Sequence, residues 1–254
     1  MRNLIFVLLT AISTLLCIGC ALVQDKSVSV ETIERIKYAI VPIVCGALTK
    51  EAEFKVAKTV GSAFFINEDG NFLTAGHVFD EWNKIDRSQG DCFPAIYMAI
   101  GGWRTDKTAP QIRIFRFQSC IRNQEADVAV CKPVENPFLD DVVKKQVNFL
   151  TFGTFLGRKD GTPVAFTGFP LDFLRPVTSK GNIASLIEAD QRIVIDKAAW
   201  PGASGSPLYL SDGAVIGVLI QRGINDGSGL AYARTSELIE AFLSKNTVRF
   251  HQQK

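Results

Sequence analysis

Residues 59–79 read TVGSAFFINEDGNFLTAGHVF, in which two β-rich apolar runs are separated by the turn cluster NEDG. A turn of this composition between two such runs is typical of a β-hairpin. The same pattern of short strands and turns continues from Ala39 onward. Helical spacing is found in SVSVETIERIKYAI before it and in SELIEAFLSKN, residues 236–246, near the end. Many short strands with few helices predict antiparallel sheets, closed into barrels or stacked as sandwiches.

The composition is that of an ordinary globular protein, since 47% of the 254 residues are hydrophobic and 21% are charged. That length suits one large all-β domain or two small ones. The net charge is +2, from 28 basic and 26 acidic residues, and no basic block of five or six residues occurs. This charge distribution argues against nucleic acid as a partner.

The N-terminus has the pattern of an export signal, because one basic residue, Arg2, precedes an uncharged apolar run from Asn3 to Gln24. Three fates are open. Ile18-Gly19-Cys20 resembles the end of a bacterial lipoprotein signal, which predicts lipidation of Cys20, although Cys17 stands where that signal usually has leucine. The run is also long enough to remain as a membrane anchor, or it is simply cleaved. Each fate places the domain outside the cytoplasm, and we expect a lipid-anchored protein of the cell envelope that faces the periplasm or the exterior.

Four further cysteines, Cys45, Cys92, Cys120 and Cys131, match no zinc-binding spacing, and the chain has only two histidines. We therefore expect neither a metal site nor another cofactor. Four cysteines allow three full pairings. Cys92 and Cys120 lie at the two ends of one long connecting segment and are the better candidates for a disulfide. Cys45 and Cys131 lie in strand-like apolar runs, as small buried residues do.

Near the C-terminal end, residues 198–210 read AAWPGASGSPLYL. This stretch either presents Ser204 as a nucleophile on a tight turn or is a polar turn between two strands. A hydroxyl nucleophile needs a base. His251 is the fourth residue from the C-terminus, in a tail that we expect to fray, so His77 is the candidate base. Asp127 opens the apolar strand VAVCK, where an ionised carboxylate needs a partner such as a histidine N–H.

Four motifs in this order resemble those of the trypsin-like serine peptidases, in the bacterial HtrA-type and glutamyl-endopeptidase-like branch. The first surrounds His77, the second contains Asp127, and the last contains Ser204. The α/β-hydrolase alternative fails because its nucleophile turn needs glycine where Ser206 stands, and its histidine comes last in the chain. The motifs are GSAFFINEDGNFLTAGHVF (61–79), ADVAVCK (126–132), FTGFPLDFLRPVTSKGNIASL (166–186) and PGASGSPL (201–208), which together span roughly Val60 to Gly223.

The resemblance implies an all-β, chymotrypsin-like fold of two six-stranded antiparallel Greek-key β-barrels with a C-terminal helix, here without a PDZ domain. Ala203 stands where digestive members carry an aspartate that pairs with a new N-terminus, so we expect no activation by cleavage. The expected organisation is an export signal, lipoprotein signal or anchor (1–24), a lead-in helix (25–38), a first barrel (39–135), a linker (136–148), a second barrel with its helix (149–245) and a tail (246–254).

The resemblance also implies a serine endopeptidase that acts on proteins or peptides. Ser204 is then the nucleophile, His77 the general base and Asp127 the residue that orients the histidine. The backbone N–H groups of Gly202 and Ser204 form the oxyanion hole, since Gly202 can adopt backbone angles that a side chain resists. The alternatives are a catalytically silent binding module on the same fold and a structural envelope lipoprotein with accidental motifs.

In this family the pocket for the residue before the cleaved bond has its floor about six residues before the nucleophile, here at Ala198 and Ala199. One wall is expected from Ile220, Gln221 and Arg222. An apolar floor predicts cleavage after small or medium aliphatic residues. If the guanidinium of Arg222 instead turned inward, the pocket would select Glu or Asp.

Overall fold

A computed structural model of the chain describes residues 27–50, 54–84, 90–98, 111–222 and 229–253. The predicted export signal, with Cys17 and Cys20, lies outside the described residues. Within the described ranges no helix is both long and apolar enough to cross a membrane.

The first structural unit is an antiparallel sheet. In the described part of the chain it has seven strands rather than the predicted six, in the order β5-β4-β1-β2-β3-β7-β6. The strands are β1 (Ile40–Leu48), β2 (Phe54–Phe65), β3 (Phe72–Ala75), β4 (Asp91–Met98), β5 (Gln111–Ile114), β6 (Phe117–Asn123) and β7 (Val128–Pro133).

The extra strand arises because the run QIRIFRFQ does not form the single strand that its alternation predicts. The chain leaves β5 after Ile114 and enters β6 at Phe117, and these strands lie at opposite edges of the sheet. Phe115, which is buried, and Arg116 connect them through backbone hydrogen bonds to Pro94 and Val134. Two edges joined by two residues must lie close together, so the sheet curls like a barrel without closing its hydrogen-bond ladder.

The second unit is a closed antiparallel barrel of six strands, as predicted, in the order β10-β13-β12-β11-β8-β9. Of these, β13 was not predicted from the sequence. The strands are β8 (Pro163–Gly168), β9 (Val177–Ile187), β10 (Arg192–Ile195), β11 (Pro207–Tyr209), β12 (Val215–Arg222) and β13 (Ala231–Thr235).

In the described part of the chain three α-helices accompany the strands: α1 (Val30–Lys37), α2 (Gly76–Asn83) and α3 (Ser236–Lys245). The second was not predicted, because NFLTAGHVF was assigned to a β-rich run throughout. The strand ends at Ala75, where its pairing with β7 stops. Beyond it, Val78 and Trp82 are spaced four residues apart and both are buried, which is the spacing of one helix face.

The two units share an apolar core. Phe64 and Val128 from the first sheet pack in one cluster with Phe169, Tyr209 and Val218 from the second barrel. The ends of β3 and β7 and the segment that precedes β11 therefore lie at the junction between the units, and these are the places that carry His77, Asp127 and Ser204.

Among the described cysteines two disulfides are present, Cys45–Cys92 and Cys120–Cys131, so the predicted preference for a Cys92–Cys120 pair is wrong. The reason is strand register. Cys45 lies directly opposite Cys92 on β1 and β4, and Cys120 lies directly opposite Cys131 on β6 and β7.

The C-terminal tail does not fray, which corrects a second expectation. The backbone of Phe152 accepts a hydrogen bond from the Gln253 N–H and donates one to the His251 carbonyl. The His251 Nε2 atom lies 2.8 Å from a carboxylate oxygen of Glu68. The tail therefore ties the turn of the 59–79 hairpin to the start of the second unit, and His251 is engaged there rather than near Ser204.

Candidate active site

Asp127 makes three contacts with Gly76 and His77 where β3 ends and β7 begins. The His77 Nδ1 atom lies 2.8 Å from Oδ2 of Asp127. The backbone N–H of His77 donates to Oδ1 of the same carboxylate at 2.8 Å, and the Gly76 N–H donates to the Asp127 carbonyl at 2.8 Å. With Nδ1 as the donor to the carboxylate, the neutral imidazole has its lone pair at Nε2, which is the form that a general base needs.

The segment before Ser204 is a tight turn from Trp200 to Ala203, closed by a hydrogen bond of 3.0 Å from the Ala203 N–H to the Trp200 carbonyl. Pro201 occupies its second position and Gly202, with φ of +89°, its third, as in a type II turn. A side chain would resist this angle, and a Cβ on Gly202 would lie 2.4 Å from the Phe169 carbonyl oxygen.

The orientation of this turn fixes a backbone donor. The Pro201 carbonyl accepts a hydrogen bond of 2.8 Å from the Leu171 N–H. Because C=O and N–H point in opposite directions across a planar trans peptide, the Gly202 N–H points away from Leu171. Within the described chain neither the Gly202 N–H nor the Ser204 N–H donates a hydrogen bond, so both are available to an anionic oxygen.

Ser62 on β2 docks the Ser204 segment onto the first unit. Its N–H donates to the Ser204 carbonyl at 2.8 Å, and its hydroxyl donates to the Gly202 carbonyl at 2.8 Å. The same hydroxyl oxygen accepts from the Phe169 N–H at 2.9 Å. At Gly205, whose φ is +87°, a Cβ would lie 1.9 Å from the Ser62 carbonyl oxygen, so only glycine permits this approach.

One cavity of about 510 Å³ brings these groups together. His77, Asp127, Gly202 and Ser204 all line it. Among the described residues the Ser204 hydroxyl has no hydrogen-bond partner, which is common in proteases without bound substrate, where the bond to the base tightens on binding. The remaining lining residues are Lys58, Thr59, Val60, Glu81, Ala199, Trp200, Pro201, Leu219 and Ile220.

The residues predicted to form the substrate pocket differ in where the structure places them. Ala199 and Ile220 line the cavity, where Leu219 joins them, whereas Ala198 is not among its described lining residues. Gln221 and Arg222 belong to β12, but their side chains lie outside the described part of the structure, as do residues 223–228. The two predicted pocket residues that line the cavity are therefore apolar, as is Leu219.

Several residues around the site were not predicted from the sequence. The composition of a turn gives no sign that Ser62 or Leu171 will contact the nucleophile segment. The Ser62 contact crosses between the units, and the Leu171 contact joins two loops of the second unit. Asp80 lies only three residues after His77, but its carboxylate lies 2.6 Å from Nη1 of Arg122. This ion pair joins α2, which carries His77, to β6. Arg234 was also missed, because β13 was not identified.

Residues 61–218, more than half of the chain, match the family described as "Trypsin-like peptidase domain". Similar curated proteins include a "Serine protease HTRA1" from Xenopus tropicalis, 24% identical over 85% of this chain and 42% of that protein. A "Probable periplasmic serine endoprotease DegP-like" from Halomonas elongata is 29% identical over 69% of this chain and 32% of that protein. A protein of the same description from Chlamydia muridarum is 27% identical over 74% of this chain and 33% of that protein.

The chain thus spans less than half the length of each of these relatives. Among solved structures, the "Crystal structure of Deg5" covers 84% of this chain and 90% of that chain with a TM-score of 0.59. Its sequence identity is 18%, so it bears on the fold alone and supports the chymotrypsin-like arrangement of the two units. With the family match over the segment that holds His77, Asp127 and Ser204, this chain belongs to the trypsin-like peptidase family.

Proposed function

We propose that this protein is a serine endopeptidase that hydrolyses peptide bonds through an acyl-enzyme on Ser204. One observation carries the proposal. The carboxylate of Asp127 holds Nδ1 of His77 at 2.8 Å in a cavity that Ser204 also lines. The family membership supports the same reaction, because peptidases of this kind act on proteins or peptides.

In the acylation step the Ser204 oxygen forms a bond to the carbonyl carbon of the substrate, and its proton moves to Nε2 of His77. Asp127 stabilises the resulting imidazolium through Nδ1 without taking up the proton itself. The tetrahedral intermediate collapses when the C–N bond breaks and the leaving amine receives the proton from His77. An ester to Ser204 remains.

Deacylation repeats these steps with water as the nucleophile. His77 accepts a proton from water, the hydroxide oxygen bonds to the ester carbon, and Ser204 leaves with the proton returned by His77. In both steps the carbonyl oxygen becomes negatively charged. The N–H groups of Gly202 and Ser204 are the donors proposed for it, and removing one such donor in a serine protease costs about 10²–10³-fold in kcat.

The walls of the cavity favour an aliphatic side chain before the cleaved bond. Ala199, Leu219 and Ile220 present apolar surface there. A Lys or Arg side chain would lose its water against this surface without gaining an acidic partner from it, which is costly. The proposed preference is therefore for Ala, Val or Leu before the cleaved bond. If peptide substrates are instead cleaved mainly after Glu, Arg222 is the residue that determines specificity.

The proposed location is the cell envelope, with the chain anchored by lipid at Cys20. The apolar run from Asn3 to Gln24 supports export, and two of the relatives are described as periplasmic. Mass spectrometry of the mature N-terminus tests the anchor. A lipid-modified Cys20 supports it, while an intact Met1 or cleavage beyond Cys20 contradicts it.

A catalytically silent binding module remains the second candidate, and the lack of a described partner for the Ser204 hydroxyl favours it.

The test that separates the peptidase from the silent module is casein hydrolysis by the wild type, His77→Ala, Ser204→Ala and the control Ser206→Ala. Ser206 lies in the same segment, but its hydroxyl is fully buried and has no described partner. We expect Ser206→Ala to retain activity and the other two folded variants to lose it. Casein cleavage by His77→Ala at the wild-type rate would overturn the proposal.

A further inference from the structure

Arg234 on β13 reaches from the second unit to the segment directly before Asp127. Its Nε atom donates to the Ala126 carbonyl at 3.0 Å, and its Nη2 atom donates to the Glu125 carbonyl at 2.9 Å. The third nitrogen, Nη1, donates to the Asp190 carbonyl within the second unit. The side chain is only 12% exposed. One guanidinium therefore joins three backbone carbonyls, two of them in the first unit.

The residue that follows these carbonyls has an unusual backbone. Asp127 has φ of +53°, in the left-handed region that residues with side chains seldom adopt. Strain of this kind persists only where the surrounding structure holds it, and it is concentrated at functional sites. The carboxylate contacts to His77 depend on this angle, because φ sets the direction in which the Asp127 side chain leaves the backbone.

Arg234 acts on that angle directly. The Ala126 carbonyl belongs to the same planar peptide unit as the Asp127 nitrogen, so a hydrogen bond to this carbonyl fixes the plane from which the Asp127 φ is measured. On the other side of Ala126, its N–H donates to the Asn123 side chain at 3.0 Å. Ala126 is thus held at both ends, once from β6 and once from β13.

We infer that Arg234 is a positioning residue for the proposed peptidase reaction, which couples the barrel that carries Ser204 to the strained backbone at Asp127 and thereby aims the carboxylate at His77. This inference rests on the proposed function. Arg234 does not touch the reacting atoms, and it acts through Asp127. Its bidentate fork suits two neighbouring carbonyls, which the single ammonium of a lysine cannot hold in the same way.

Arg192 offers a matched control. It lies directly opposite Arg234 in the register of β10 and β13. Its Nη2 atom lies 2.9 Å from Oδ2 of Asp190, and its guanidinium lies 5.2 Å from the ring centroid of Tyr232. No described hydrogen bond joins it to the first unit. Arg192→Met therefore removes an equivalent charge and a contact to the same aspartate without releasing the segment before Asp127.

The experiment compares kcat and KM for Arg234→Met, Arg234→Lys and Arg192→Met, after thermal unfolding has shown that each variant is folded. We expect Arg234→Met to lower kcat by about 10- to 100-fold with KM unchanged, since a misplacement of about 1 Å has that effect. Arg234→Lys should recover part of the loss, and Arg192→Met should resemble the wild type. Equal kcat values for Arg234→Met and Arg192→Met would overturn the inference.

Two further readouts separate positioning from a general structural effect. In the background of Asp127→Asn, Arg234→Met should change kcat by less than about threefold, because its effect passes through the carboxylate that is already lost. A fully additive loss would contradict this.

The second readout is the NMR signal of the His77 imidazole. The chain has two histidines, so the imidazole signals of His77 are readily assigned by NMR. The Nδ1 proton signal should be lost or shifted in Arg234→Met and retained in Arg192→Met. This signal decides the inference even if the wild type proves to have no peptidase activity, a result that would overturn only the proposed function.

Discussion

The carboxylate of Asp127 contacts His77 twice, with Oδ2 at 2.8 Å from the ring Nδ1 atom and Oδ1 at 2.8 Å from the backbone nitrogen. The two contacts have different consequences. The backbone bond holds the carboxylate in place even if the ring rotates, and the ring bond selects the tautomer of the imidazole. A substitution at Asp127 that retains one contact and changes the other therefore tests the proposed mechanism.

Asp127→Asn is that substitution. Asparagine tolerates the left-handed backbone at this position, and its carbonyl oxygen can still accept from the His77 N–H. Its amide nitrogen would then face Nδ1 as a donor, which forces the ring to carry its proton on Nε2 and removes the base. We expect a folded protein whose kcat is lower by about 10⁴-fold, measured with a peptide substrate across a pH series.

An unchanged pH–rate profile in Asp127→Asn would give the orienting role to another carboxylate. Asp80 is the nearest rival in sequence, but it already pairs with Arg122. Asp80→Asn therefore serves as the control and should leave the pH profile as it is, although it loosens the attachment of α2 to β6.

Ala199 and Ala198 provide a matched test of the substrate pocket. The structure places Ala199 on the wall of the cavity and does not place Ala198 there. We expect Ala199→Phe to fill the pocket and to lower kcat/KM for a substrate with Leu before the cleaved bond by about 10- to 100-fold, while one with Ala suffers less. Ala198→Phe should have a smaller effect. If the two variants lose activity equally, Ala198 and Ala199 both form the pocket floor, as the sequence resemblance implies.

The candidate base and its partner could be predicted from the sequence because few residues in this chain can take these roles. A single candidate base and an aspartate that opens a buried strand are enough to single out His77 and Asp127 by residue type and order alone. Contacts that depend on register were not predictable in this way. Cys45 bonds to Cys92, and Arg234 contacts Ala126, only because of how particular strands are placed in the fold. Composition does not show which strands are neighbours. The helix α2 was missed because its first turn, GHVF, has the same apolar character as a strand.

Glu237 should make the stability of the second unit dependent on pH. Burial disfavours its charged form, but hydrogen bonds from the Thr154 hydroxyl and from nearby backbone N–H groups, including those of Phe155 and Leu156, outweigh burial and hold its pKa below the ordinary value of 4.5. Stability from a lowered pKa is present above about pH 4.5 and is lost as the pH falls through the folded-state pKa. Glu237→Gln should therefore reduce the free energy of unfolding at pH 7 by about 1 kcal/mol, with a smaller loss below pH 4.

Glu240 is the control for this prediction, because it lies on the same helix and has the opposite shift. Burial raises its pKa, against a hydrogen bond from Gln252. A raised pKa means that stability is lost as the pH rises through the folded-state value. Glu240→Gln should thus leave the protein at least as stable as the wild type at pH 7. Urea unfolding curves at several pH values measure both variants, and identical pH trends in the two would contradict this account of α3.

The two disulfides should differ in their contribution to stability. Cys45–Cys92 closes a separation of 47 residues, and Cys120–Cys131 closes one of 11. Loop-closure entropy predicts losses of about 4 and about 3 kcal/mol respectively when each pair is replaced by alanine. Urea unfolding of the two double variants measures the difference. Peptide mapping under non-reducing conditions checks the pairing itself, and a Cys92–Cys120 cross-link would contradict the strand register described for the first unit.

The central claim is that Ser204 is a nucleophile activated by His77, and covalent labelling with a fluorophosphonate tests it most directly. Only an activated serine beside a formed oxyanion hole reacts rapidly with such a reagent. The measurement is the mass of the intact protein after labelling, followed by peptide mapping, for the wild type, His77→Ala and Ser206→Ala. The account predicts a single adduct on Ser204 in the wild type and in Ser206→Ala, and none in His77→Ala over the same time. An unlabelled wild type, or an adduct on another serine, would contradict it.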